Sequence, residues 1–138
     1  MPKFSQISND RLKTCAPELQ SLFAEVIKTY DCTIICGYRT AAEQAELLKN
    51  GKTKIKQSKH NEQPAQAIDV SPYPIPENWG ATNFKERARF YHFAGYVKGI
   101  AETLKIPIRW GGDWNGNNKF SDQTFDDLVH FELVTRPE

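Results

Sequence analysis

An excess of charge of either sign is missing from this 138-residue chain. Lys and Arg number 18 against 17 Asp and Glu, a formal net charge of +1, so the composition carries no strong signal for nucleic acid or another polyanion. No apolar run approaches the ~20 residues of a membrane span, and membrane insertion is not expected. Met1 to Gln6 lacks the apolar core of a secretory signal. Cysteine is scarce: Cys15, Cys32 and Cys36 form an odd set with neither CxxC nor zinc-finger spacing. Nothing asks for a disulfide, which points to synthesis in a reducing compartment. Cys36 lies in an apolar run and reads as a buried free thiol. Internal repeats and any second domain are also missing.

What is present suits one soluble globular domain over 1–138. Hydrophobic residues make up 39% and charged residues 25%, enough for a core and too apolar for disorder. Ile7 to Leu12 opens as a short helical turn after capping residues. Pro17 starts a stronger helix, proline being tolerated in a first turn. Its apolar stripe is Leu19, Leu22, Phe23, Val26, Ile27 and Tyr30. Thr33 to Cys36 is a β-branched run, read as a buried strand. Thr40-Ala41-Ala42-Glu43 is a capping box opening a helix that ends at Asn50-Gly51.

Lys52 to Gln66 is polar without period and reads as a loop; such length inside a compact domain is more often functional than idle. Its basic run, Lys52 to Lys56 with Lys59, reads as a solvated loop, with steering toward an anionic polymer as the alternative. Ala67 to Val70 reads as a strand with Ile68 and Val70 on one face and Asp69 on the other. Asn83 caps a long helix with Phe90, Phe93, Ala94, Val97, Ile100, Ala101 and Leu104 on one side. Ile106 to Trp110 is a strand with its proline near the start. Gly111 to Asp126 is a Gly/Asn/Asp-rich loop, and Phe131 to Val134 is the closing strand. The fold class is α+β: a small, mainly antiparallel sheet flanked by three main helices.

The chemistry concentrates at His60, Asp69 and His130. Two imidazoles and a carboxylate, with a further acid close by, are what a catalytic zinc needs: three protein ligands, one position for water, and a base. His60 and Asp69 are too far apart for one helix face, so the loop must fold His60 back over the strand of Asp69. If the strands of Asp69 and His130 are neighbours, both project into one groove on the sheet. Spacing alone leaves the plainer reading open: a loop histidine, a turn aspartate and a half-buried histidine, since no H-E-x-x-H motif is present. His92, on the polar side of the long helix, reads as a solvated surface residue. Asp126, Asp127 and Glu132 are the candidate bases; Glu132, ~7 Å along the strand from His130, suits a partner of that histidine better than a base. The stretch from Asp113 to Asp122 has oxygen side chains at alternate positions, faintly like a calcium loop, but lacks the bidentate glutamate. A plain Asn/Gly turn cluster is the preferred reading over Ca2+ there.

Ser58-x-His60 followed by Ala67-Ile68-Asp69, Gly37-Tyr38-Arg39-Thr40 upstream, Trp110-Gly111-Gly112-Asp113-Trp114, and Asp127-x-x-His130-Phe131-Glu132-Leu133 form a set. Over Leu12 to Leu133 the chain resembles the D-Ala-D-Ala-carboxypeptidase-like zinc peptidases, a family grouped with lysostaphin and the Hedgehog signalling domain. It is most similar to bacteriophage endolysins of the L-alanyl-D-glutamate peptidase kind. The resemblance implies His60, Asp69 and His130 as Zn2+ ligands, Asp127 as general base, and Arg39 as the group that polarises the scissile carbonyl and stabilises the oxyanion. A structural ion pair is the alternative for Arg39. The spacing departs from the family's commonest one: eight residues separate His60 from Asp69, and the added length falls in 61–66, a loop where extra residues cost little.

The activity implied is zinc-dependent endopeptidase cleavage of the peptidoglycan stem peptide at L-Ala-D-Glu. Two alternatives stay open: a D,D-carboxypeptidase acting on terminal D-Ala-D-Ala, and a non-catalytic zinc-containing binding module. By the same analogy the protein is a monomeric host-lysis enzyme without a separate wall-binding domain. It would be made in the host bacterial cytoplasm and act on the cell wall after release.

Overall fold

The computed structural model describes residues 2–53, 57–77, 83–119 and 127–134. The opening turn is a full helix, α1 (Gln6–Leu12), whose first turn is capped by Ser5 Oγ accepting from the Ser8 amide at 3.1 Å. α2 (Pro17–Val26) follows, with its proline in the first turn and Leu19, Leu22, Phe23 and Val26 buried. β1 (Cys32–Cys36) leads to α3 (Ala41–Lys49) through the capping box that the sequence encodes. There Thr40 accepts from the Glu43 amide and Glu43 accepts from that of Thr40, both at 3.1 Å. Gly51 stops the chain after α3 at φ +70, a conformation that costs glycine little. A 3-10 turn (Lys59–Asn61), β2 (Ala67–Pro72), α4 (Phe84–Leu104), β3 (Ile108–Trp110) and β4 (His130–Leu133) complete the described elements.

The four strands form one antiparallel sheet in the order β1-β2-β4-β3. Every residue of β2 and β4 is buried, as central strands should be. α4 packs against α2, β2 and β3, and α1 against β1. Phe131 of β4 sits between Phe23 and Phe93, edge-to-face with both at 5.7 and 6.1 Å. Burying a ring of this size contributes roughly 1.5–3 kcal/mol. No α3 residue belongs to this core.

Boundaries and burial differ from the sequence reading: α2 ends at Val26, short of Tyr30, and β2 runs on past Val70 to Pro72. β1 is an edge strand, so Ile34 is buried while Ile35 is 37% exposed. β3 begins only after Pro107, which cannot donate to a ladder. β4 starts at His130, so the histidine of the motif is itself in the ladder.

Candidate metal centre

The register of two central strands decides the site. Asp69 lies directly opposite His130 in the β2–β4 pair, and opposed residues of an antiparallel pair project to the same face. With Phe131 turned into the core, alternation sends His130 and Glu132 the other way. His130 Nδ1 stands 3.4 Å from Asp69 Oδ1. His60 reaches the same oxygen from the 3-10 turn, with Nε2 at 3.2 Å.

That turn is fixed by its neighbours. Ser58 Oγ accepts from the His60 amide at 3.2 Å and Asn61 Oδ1 accepts from the Ser58 amide at 2.8 Å. Asn61 Nδ2 donates to the Arg39 carbonyl, and the Arg39 amide donates to the His60 carbonyl, both at 2.8 Å. The longer loop after it is tied to the N-terminal segment, the Ala65 amide donating to Thr14 and the Ala65 carbonyl accepting from Ala16.

Each histidine has its outer nitrogen held by an acceptor. His60 Nδ1 lies 2.7 Å from the Gly37 carbonyl, which can only accept, so this nitrogen carries the proton. His130 Nε2 lies 2.9 Å from Glu132 Oε1 and donates likewise. In the neutral rings the lone pairs of His60 Nε2 and His130 Nδ1 therefore both face Asp69. This is the arrangement of metal-ligating histidines, whose other N–H is given to a carbonyl or carboxylate. Donors around a tetrahedral ion at 2.0–2.2 Å stand about 3.3–3.6 Å apart, close to the 3.2 and 3.4 Å separations seen. The N, O, N set is one that zinc accepts.

Without a cation the three groups share charge. Burial alone would lower His60, but hydrogen bonds with Asp69 and Cys36 and the Asp69 charge lift it to about 10. His130 moves up in the same way, burial opposing and Asp69 and Glu132 prevailing. Burial works against the Asp69 carboxylate, yet the two imidazoles hold it well below the usual range.

Asp127 stands beside this set with Oδ2 4.0 Å from His130 Nδ1. Its amide donates to the Gly111 carbonyl at 2.8 Å and its carbonyl accepts from the His130 amide at 3.1 Å. Burial, helped by the Asp69 charge, pushes its carboxyl up, so it holds a proton more readily than an ordinary aspartate. Arg39, half-buried, donates from Nη1 to Gln44 Oε1 at 2.8 Å and places Nη2 3.5 Å from Asp69 Oδ2. Glu132 is the histidine partner that strand alternation predicted, and it also pairs with Lys59 at 3.3 Å and Arg109 at 3.9 Å. These groups open into a groove of about 660 Å³ whose other walls include Leu47, Lys52 and Trp114. The Trp114 ring lies 5.3 Å from that of His130.

Two residues escaped the sequence reading. Cys36 is half-buried at the site, not in the core: ligand atoms of Cys36, His60 and Asp69 lie within 4.8 Å of one another, as do those of Asp69, Asp127 and His130. Gln44 is fully buried against Arg39. No local signal could have found Cys36: parity would place it with the inward Ile34, two positions away, and a register shift between them displaces it. Asp126 lies outside the described residues, as do 120–122 of the calcium candidate. In the part described, Asp113 Oδ2 accepts from the Asn118 amide at 2.8 Å and lies 3.7 Å from Lys98 Nζ. Asn115 and Asn117 accept from backbone amides two residues on, which is the turn cluster. His92 is exposed and bonded to Tyr30 at 2.7 Å.

The family model described as phage L-alanyl-D-glutamate peptidase matches residues 1–134. An L-alanyl-D-glutamate peptidase of Escherichia phage T5 is 32% identical over 139 residues, spanning 96% of this chain and 98% of that protein. The fold is that of the Serratia marcescens L-Ala D-Glu endopeptidase ChiX, with a TM-score of 0.73 at 22% identity over 96% of this chain and 90% of that one. Matched along nearly its whole length by that family model and by the phage relative, this chain belongs to the phage L-alanyl-D-glutamate peptidase family.

Proposed function

We propose that the chain is a zinc-dependent peptidoglycan endopeptidase that hydrolyses the L-Ala-D-Glu bond of the stem peptide. The substrate assignment is supported by the phage T5 relative, named for that activity. The zinc assignment is carried by one observation: both histidines give their outer N–H to a fixed acceptor and turn their inner nitrogens to one oxygen of Asp69. His60, Asp69 and His130 would hold the ion. When bound, zinc polarises a carbonyl and makes water acidic enough to lose a proton near neutral pH.

Asp127 takes that proton and returns it to the departing amine, a role suited to a carboxylate whose affinity for protons is raised. Arg39, permanently charged and fixed on the groove wall, holds the negative charge that develops on the scissile carbonyl oxygen. Glu132 keeps His130 in the tautomer that leaves Nδ1 free. The presence of Asp127 and Arg39 in one groove favours catalysis over a purely binding role. We further propose a monomeric endolysin, made in the host cytoplasm and acting on the wall after release; the free, buried Cys15 and Cys32 thiols suit synthesis under reducing conditions.

Digestion of purified peptidoglycan, read by fragment mass, tests this. New amino termini on D-Glu, lost with a chelator and restored by zinc, are expected. Release of terminal D-Ala instead would indicate the carboxypeptidase, and no release would indicate the binding module. A calcium ion in 113–122 is a separate reading, favoured by Asp113 Oδ1, buried and without a hydrogen-bond partner among the described residues. A calcium titration followed by thermal unfolding tests it, and an unchanged midpoint would eliminate it.

A further inference from the structure

α3 buries one residue, and that residue is polar. Gln44 is 0% exposed while no side chain of the helix joins the hydrophobic core. Burying an amide is unfavourable unless it is hydrogen-bonded, so its place asks for a reason other than packing. The reason on view is Arg39: Gln44 Oε1 accepts from Arg39 Nη1 at 2.8 Å. The other arm of the same guanidinium is directed by Asp69 Oδ2 at 3.5 Å and Cys36 Sγ at 3.6 Å. The backbone of Arg39 is held at both ends by the 3-10 turn. A long arginine side chain is thus fixed at its root and across its fork.

We infer that Gln44 is a positioning residue that sets the angle of the Arg39 guanidinium toward the substrate carbonyl. The inference rests on the assignment of Arg39 to the developing oxyanion. α3 then serves the groove and not the core: Leu47 lines the wall, and Gln44 fixes the charge set in it. An arginine freed on one side keeps its charge but loses its aim. Misplacing a reacting group by about 1 Å can cost 10²-fold in rate.

The test uses the zinc-loaded full chain with a stem-peptide fragment containing the L-Ala-D-Glu bond. Gln44→Met removes the acceptor at similar volume; Gln44→Glu keeps an acceptor for Arg39. Gln44→Met should lower kcat about 10- to 100-fold with KM within about 3-fold, and Gln44→Glu should recover most of the loss. Combined with Arg39→Met, Gln44→Met should cost nothing further in kcat, because the two residues act as a unit. Thermal unfolding and bound zinc, measured on each variant, separate misfolding from misaiming.

A folded Gln44→Met protein with parental kcat overturns the inference, as does a loss that adds in full to that of Arg39→Met. If Gln44→Met does not fold, Gln44→Glu alone decides: a folded Gln44→Glu protein as inactive as Arg39→Met overturns it. If Arg39→Met itself keeps parental kcat, the oxyanion assignment fails and this inference fails with it, whereas loss in Arg39→Met without loss in Gln44→Met sinks only the role of Gln44.

Discussion

Replacing Gly111 by alanine should disable the proposed activity through Asp127 without substituting any of the proposed functional residues. A Cβ at Gly111 would lie 2.1 Å from the Asp127 carbonyl oxygen, 2.9 Å from its carbonyl carbon and 3.0 Å from its Cβ. Ordinary carbon contacts begin near 3.5 Å, so the two backbones must separate by about 1 Å. They are also tied there, the Asp127 amide donating to Gly111 and the Gly111 amide to His130, each at 2.8 Å. Overpacking of this kind costs about 1–3 kcal/mol, a fall of roughly 3–12 °C in Tm for a chain of this size. If Asp127 is the base proposed above, the same shift displaces its carboxylate in the groove, and kcat should drop about 100-fold. Gly95→Ala is the control: its Cβ meets nothing within 4 Å on an exposed stretch of α4, and it should gain up to about 1 kcal/mol. Muropeptide turnover, bound zinc and thermal unfolding of both variants give the answer. A Gly111→Ala protein with parental kcat would refute the argument that Asp127 is seated by this contact.

Asp127→Ala should retain zinc while losing about 10²–10⁴-fold in kcat, whereas His130→Ala should lose both; elemental analysis beside turnover distinguishes them. Glu132→Ala removes the acceptor for His130 Nε2 and should weaken zinc binding by about 10–100-fold, measured by competition with a chelating dye. In the metal-free protein His60 lies at about 10, above its ordinary 6.5, so its contribution to stability is full below pH 6.5 and is lost as pH rises toward 10. Asp69, held below its ordinary value, contributes above pH 3.8 and loses that contribution in acid. Metal-free Tm should therefore decline on both sides of the range between; a Tm unchanged from pH 6 to 10 would contradict it. Zinc loading at pH 8 should release about one proton or more per ion, read by calorimetry in buffers of different ionisation enthalpy.

The sequence carried most of the local structure because each device is short-ranged. The Thr40–Glu43 capping box, Pro17 in a first turn and Asn83 before α4 all lie within a few residues of what they control. Alternation in β4 was enough to predict that Glu132 would meet His130. The pairing of Asp69 with His130 was only a conditional statement, since strand order is a tertiary matter and those residues stand far apart in the chain. Cys36 misled because an apolar run at a sheet edge looks like one at its centre, and the register shift that turns it toward His60 leaves no local mark. Gln44 was invisible for a related reason: the alanines and leucines of α3 stay out of the core, and nothing within the helix says which polar residue is enclosed.

Strand β4 is four residues long and divides its labour by parity. Phe131 closes the hydrophobic interior while His130 and Glu132, its immediate neighbours, furnish the groove. A one-residue slip of this strand would exchange these duties, sending an imidazole into oil and a phenyl ring into the groove. Extra residues in the loop after His60 cost little, but this strand has no such freedom, because core and groove are written on alternate letters of the same short word.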